Sequence, residues 1–193
     1  MSRERTDTRK RILDAARDLL EKQSRSVRMS DIARSAGISR QALYLHFPTR
    51  AELLIAVTRH LDKVKDIDAR LAASRNATGG AERLRAFIEA WGNYIPEIYG
   101  VARALMAMKD TDAEAGAAWE DRMQAVREGC EAAIVALEND GALAAGWNAQ
   151  DSTDFLWALL SVRNWEHLRM ECGWDQAKYI SRIRLVAEST LIA

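Results

Sequence analysis

Between residues 30 and 47 the chain carries two short helix-forming segments, 30–36 and 39–47, with only Gly37 and Ile38 between them. Two short helices joined by a tight glycine-containing turn make a helix-turn-helix, and the side chains suit that unit one by one. Ile32 and Leu43 are expected in its small core, and Ala33 is small where the second helix crosses close to it. Gly37 supplies the positive φ of the turn, Ile38 plugs the gap, and Ser39 is a good N-cap for the second helix. That leaves Arg40, Gln41, Ala42, Tyr44 and His46 on or near the outer face. Arginine makes bidentate contacts with guanine, glutamine with adenine, and alanine touches a thymine methyl. Such motifs place these contacts at the N-terminal end of the second helix.

The rest of the chain reads as helix too. Period-2 alternation is scarce, whereas Ile12, Leu13, Ala16, Leu19 and Leu20 form one helical stripe over 8–22. A polar connector, Gln23-Ser24-Arg25-Ser26, leads to the hairpin. After it, Thr49 is an N-cap candidate for a long helix over 49–73, with Leu53, Leu54, Val57, Leu61 and Val64 as its stripe. The run Asn76-Ala77-Thr78-Gly79-Gly80 is the clearest break. Beyond it, helices are expected at about 81–95, 97–108, 112–138, 151–171 and 175–191, with Pro96 ending or kinking the first. The expected architecture is all-α: an N-terminal three-helix head, residues 1–50, and a larger helical body, residues 51–193, joined by the helix at 49–73.

Charge separates the same two parts. Residues 1–50 hold 12 Lys/Arg against 6 Asp/Glu, which leaves 16 and 22 of the totals of 28 and 28 for residues 51–193. A basic head on an acidic body fits a protein that meets a polyanion at one end. No run of about 18 apolar residues suggests a membrane span, and the basic N-terminus has no apolar stretch of the kind a signal peptide carries. The cytoplasm is the expected compartment. Cys130 and Cys172 lack ligand-like spacing and read as reduced, buried thiols. His46, His60 and His167 show no metal-ligand spacing, and no phosphate-cradling Gly-rich loop occurs. Neither a metal, nor a cofactor, nor an enzymatic centre is expected.

The run DIARSAGISRQALYLHFPTRAELL, residues 31–54, resembles the DNA-binding head of the TetR (tetracycline-repressor) family of bacterial transcriptional regulators. Ile32-Ala33, Ala36-Gly37-Ile38-Ser39, Leu43-Tyr44-Leu45-His46-Phe47 and Arg50-Ala51-Glu52-Leu53-Leu54 match that family's pattern in register, and the likeness covers roughly residues 8–60. Carried over by position, it implies that Arg40 and Gln41 reach bases and that Tyr44, His46 and Arg50 hold phosphates, beside the helix caps Ser39 and Thr49. One departure stands out. Where the family has Thr or Ser at the start of the second helix, this chain has Arg28, so a hydroxyl cap is lost or moved to Ser30, while Arg28 can itself reach a phosphate. Arg3, Arg5, Arg9 and Lys10 are candidates for a flexible arm that adds backbone or minor-groove contacts.

All six tryptophans lie beyond residue 90. Trp91, Tyr94, Met106, Trp119, Met123 and Trp157 could line a cavity for a small hydrophobic or aromatic effector, with Arg163 and Asn164 as polar handles. The same aromatic and methionine stripes also serve as plain core. The last two helices are apolar on more than one face, which predicts burial on several sides and a homodimer through a four-helix bundle, as the resembled family forms. Two heads would then read a palindromic double-stranded DNA site, and an effector would release it by acting through the helix at 49–73. The readings left open are a repressor released by ligand, a ligand-independent regulator acting by occupancy or through a protein partner, and, least supported by any motif, a small helical enzyme.

Overall fold

The computed structural model describes residues 2–22 and 27–193 of the chain; the connector at 23–26 and the side chains of Ser2 and Arg3 lie outside what is described. Among the described residues there are ten α-helices and no strand, only an isolated bridge between Leu143 and Ile192. The helices are α1 (Ser2–Lys22), α2 (Met29–Ser35), α3 (Arg40–His46), α4 (Arg50–Val64), α5 (Ile67–Arg75), α6 (Gly80–Met108), α7 (Ala113–Asn139), α8 (Ala149–Leu159), α9 (Val162–Glu166) and α10 (Gln176–Leu191). One π-helical turn, His167–Glu171, continues α9. The all-α class is as the periodicity indicates.

The chain divides into two compact units. The first joins Met1–Lys65 to Ile98–Met123, and the second joins Asp66–Glu97 to Gln124–Ala193. Compactness thus groups the head and α4 with the end of α6 and the start of α7, a different grouping from the expected 1–50 and 51–193.

In the first unit α1 packs on α2 and α4, and α2 on α3. Ile12, Ala16, Leu20, Ile32, Leu43, Leu53, Leu54 and Val57 share one core with Val101, Leu105, Ala115 and Ala118. α1 begins at Ser2, not near residue 8. Its polar opening, SRERTDTRK, is rich in good helix formers, so Arg5, Arg9 and Lys10 sit on a helix and not on a loose arm. α4 also ends earlier than expected, at Val64. Asp66 is left-handed, with φ of 52°, and its carboxylate caps α5 by accepting from the Ala69 N–H.

Three irregularities mark the second unit. α6 runs through Pro96 instead of stopping there. The proline removes the N–H that would bond the Gly92 carbonyl, and the Gln176 amide on α10 donates to that carbonyl instead, at 2.9 Å. A Cβ on Gly92 would meet the end of the Ile180 side chain, so the glycine leaves room for that side chain against α6. The expected helix over 151–171 is interrupted at Leu160 and Ser161, where the Ser161 hydroxyl caps α9. The carbonyls freed at the interruption are taken by the Trp91 indole N–H on Leu160 (2.9 Å) and the Asn164 amide on Leu159 (2.7 Å). Finally, Cys130 is buried as expected but Cys172, closing the π-helical turn, is exposed.

Candidate nucleic-acid interface

The head is assembled from short helices whose ends are set by side chains. Gly37 takes a φ of +66°, and Ile38 N–H returns to the Ala33 carbonyl at 3.0 Å, which turns the chain sharply between α2 and α3. The Ser39 hydroxyl accepts from the Ala42 N–H at 3.0 Å, and the Thr49 hydroxyl from the Glu52 N–H at 3.1 Å. Each cap is worth about 1 kcal/mol. α2 has no such cap. Arg28 stands at its N-cap without a side-chain hydrogen bond, and Ser30 lies inside the helix, so the hydroxyl is lost and not relocated.

Leu43 and Phe47 anchor α3 in the core, one turn apart, which turns the opposite face outward. Arg40 and Gln41 are exposed, Ala42 and His46 half-buried, and Tyr44 is 37% exposed. Arg40 rests against Tyr44, one turn on, with its guanidinium carbon 5.6 Å from the ring centre and Nη2 donating to the hydroxyl at 3.4 Å. Arg28, Ser30, Arg40, Tyr44, Thr49 and Arg50, with Met29, Pro48 and Glu114, line an open pocket of about 600 Å³. The structure therefore brings most of the residues read from the sequence to one face. Burial, with the charges of Arg5 and Arg9, holds the His46 imidazole below its usual pKa.

Arg50 is placed differently from the expectation of a free phosphate ligand. Its side chain is only 10% exposed. Nη1 lies 2.9 and 2.8 Å from the two Asp112 carboxylate oxygens, and Nε donates to the Val27 carbonyl at 2.7 Å. Burial would raise Asp112, but the Ala115 N–H and the Arg50 charge together hold its carboxyl below the usual range. Further along α4, Arg59 pairs with Asp121 at 2.6 Å and Asp62 with Arg122.

Two features of this region are not evident in the sequence, the docking of Arg9 on α3 and the exposure of Leu45. Arg9 donates to the His46 carbonyl at 3.0 Å and lies 4.1 Å over the Phe47 ring, a cation on the C-terminal end of α3. Leu45 is 73% exposed, the barest large apolar side chain described, and sits one turn after Gln41. Its spacing from Gln41 was the available signal. The contact of Arg9 had none, because its partner lies 37 residues away.

The effector candidates do not share a unit. Met106, Trp119 and Met123 belong to the first, where Trp119 packs on the head's core. Trp91, Tyr94, Trp157, Arg163 and Asn164 belong to the second. There Trp91 and Tyr94 are buried with ring centres 5.9 Å apart, while Arg163 is exposed. Trp91 and Asn164 spend their polar groups on the helix interruption. The Tyr179 hydroxyl, by contrast, is buried without a partner.

Residues 12–57 match the family model described as "Bacterial regulatory proteins, tetR family". Over 68 residues, 35% of the chain, the sequence is 40% identical to the HTH-type transcriptional activator FasR of Mycolicibacterium smegmatis, and the match spans 30% of that relative's length. Whole-chain likeness to solved structures is one of fold. A transcriptional regulator from Saccharomonospora viridis in complex with choline superposes with a TM-score of 0.75 at 19% identity, covering 97% of this chain and 99% of that one. NalD, the secondary repressor of the MexAB-OprM multidrug efflux pump in Pseudomonas aeruginosa, gives 0.70 at 21% identity and covers 98% of both. No helix among the described residues is long and apolar enough to cross a membrane.

Proposed function

Because residues 12–57 match the model of the tetR family of bacterial regulatory proteins, we propose that the chain is a TetR-family transcriptional regulator that works as a homodimer on a palindromic operator, as a repressor released by a small hydrophobic or aromatic ligand. The observation that carries the DNA half is the outer face of α3, with Arg40 and Gln41 exposed at its capped N-terminal end. Base edges are read from there, while Arg28, Tyr44, His46 and Thr49 serve the backbone, which positions the protein without specifying sequence. Dimerisation draws support from α10, whose inward stripe of Tyr179, Ile183, Ala187 and Leu191 leaves Leu185 and Val186 bare on the opposite side.

Selection from a random duplex pool tests this reading. The expected product is an inverted repeat with half-site centres about 34–36 Å apart or a multiple of that. Gln41→Ala should change one base-pair position in each half and cost roughly 1–3 kcal/mol there. An unchanged preferred sequence would overturn the assignment of that face.

For the effector half, the buried, unpartnered Tyr179 hydroxyl is a group that a polar ligand atom would satisfy, and the Tyr179 ring lies against Gly92, next in the chain to the buried Trp91. Aromatic faces also bind quaternary ammonium ions, so choline, the ligand of one structural neighbour, belongs in the first panel of compounds. Regulation without an effector is favoured by one observation, the internal use of the Trp91 and Asn164 polar groups. Operator affinity measured with and without a saturating compound separates the two, since a releasing ligand must bind the DNA-incompetent state better.

A further inference from the structure

We propose that the acidic turn between α6 and α7 competes with the DNA backbone: Asp112 and Glu114 hold Arg50 and the first turn of α4, groups that would otherwise take a phosphate. Carboxylate and phosphate are the same kind of ligand to an arginine fork and to the free N–H groups at a helix start. Here both are already occupied. Asp112 engages Nη1 of Arg50 with both oxygens, Glu114 approaches it at 3.5 Å, and the Ala51 N–H of α4 donates to Glu114 at 3.2 Å. Asp112 is itself fixed, accepting from the Ala115 N–H at 3.2 Å where α7 begins.

The placement of Glu114 gives the contact its consequence. Its side chain is 43% exposed and forms part of the wall of the pocket that Arg28, Arg40, Tyr44 and Thr49 line. A carboxylate thus stands among the cations and hydroxyls assigned to the backbone. It repels an incoming phosphate and, with Asp112, withholds Arg50 from it. Asp112 and Glu114 are therefore positioning residues that set affinity without touching a base. The inference rests on DNA binding by this head.

The test pairs Asp112→Asn with Glu114→Gln, neutral replacements that keep an oxygen for the Ala115 and Ala51 N–H groups and so preserve the fold. Affinity for a mixed-sequence duplex is measured across a series of KCl concentrations. The double variant is expected to bind about three- to tenfold tighter at low salt, with the log–log salt slope steeper by ~0.9, the mark of one added phosphate contact. Arg50→Ala should return the double variant to the original slope yet leave the slope of the unaltered protein unchanged. A double variant with unaltered helix content and an unmoved or shallower slope overturns the proposal, as does a flatter slope from Arg50→Ala alone. Should the double variant not fold, Glu114→Gln alone must tighten binding about twofold or more, and no tightening counts against it. Failure of the unaltered protein to bind any duplex would instead sink the DNA-binding reading. Elution from heparin, a sulfated polyanion, then still decides whether Arg50 is withheld: later elution of the double variant supports the proposal, and identical elution overturns it.

Discussion

The helix-turn-helix of the first unit and the irregular points of the second close their unpaired backbone groups with partners at different distances. In the first, the starts of α3 and α4 are capped by the neighbouring hydroxyls of Ser39 and Thr49, three residues from the N–H groups that donate to them. In the second, the Leu160 carbonyl is closed by Trp91, 69 residues away, and the Gly92 carbonyl by Gln176, 84 residues away. Local closure makes a head whose outer face is free for DNA. Distant closure makes a body in which the irregular points of α6, α8 and α9 are tied to one another by single side chains.

The hardest blow to that contrast is Trp91→Ala. It removes a buried ring and strips the Leu160 carbonyl of its donor, and should lower stability by about 3–5 kcal/mol in chemical denaturation. Trp91→Phe keeps most of the packing and loses the N–H, so about 1–3 kcal/mol is expected. Equal stability of Trp91→Phe and the unaltered protein would show that the indole bond does nothing for the break in α8.

A smaller effect isolates Pro96. Gln176→Leu leaves the Gly92 carbonyl without its donor and takes an acceptor from the Trp165 indole, which lies 3.2 Å from Gln176 Oε1. The expected cost is about 1–3 kcal/mol. In a Pro96→Ala background the backbone N–H returns and can bond Gly92, so the cost of Gln176→Leu should fall by about 1 kcal/mol. A double-mutant cycle with no coupling would mean that Gln176 is not what lets α6 pass through a proline.

The same contrast explains what was legible in the sequence. Gly37, Ser39, Thr49 and the stripe at Leu53, Leu54 and Val57 act on their own segment, and the structure has the helix-turn-helix where they put it. The end of α4 at Val64 was hidden, because Asp66 caps α5 from a left-handed conformation that no glycine announces. Pro96 and Ser161 misled in opposite directions. The proline looks like a stop until Gln176 is brought to Gly92, and Ser161 sits in an apolar run that looks continuous until Trp91 is brought to Leu160. Arg50 is likewise fixed from a distance: the resemblance implies a phosphate contact, and Asp112, 62 residues on, engages it in the structure. On the outward side of α3, the exposure of Arg40, Gln41 and Tyr44 is legible from spacing, whereas that of Leu45 is not, since it reads as one more apolar residue.

Leu45 sharpens the comparison at the scale of one methyl group. An apolar side chain 73% exposed on α3, one turn past Gln41, is placed to meet a thymine methyl. Replacing single thymines of the selected operator by uracil should weaken binding at one position by about 1 kcal/mol, and Leu45→Ala should erase that difference. If uracil is neutral everywhere, the exposure of Leu45 has no role in reading the site.

The smallest effect concerns protons. Burial first, then the charges of Arg5 and Arg9, hold His46 below its ordinary value of 6.5 in the free protein, so it is largely neutral near pH 7. The unfolded chain takes up the proton more readily than the folded head does. The stability contributed by this group is therefore full above the unfolded value and is lost as pH falls below about 6.5. A DNA phosphate reverses the preference by favouring the imidazolium. Operator affinity should thus rise by about two- to fivefold as pH drops from about 7.5 to about 6, while the free head becomes slightly less stable over the same range. His46→Asn should flatten both trends. Opposite signs from one side chain are hard to imitate: general charge effects on DNA binding would survive the substitution, and a purely structural histidine would move stability alone.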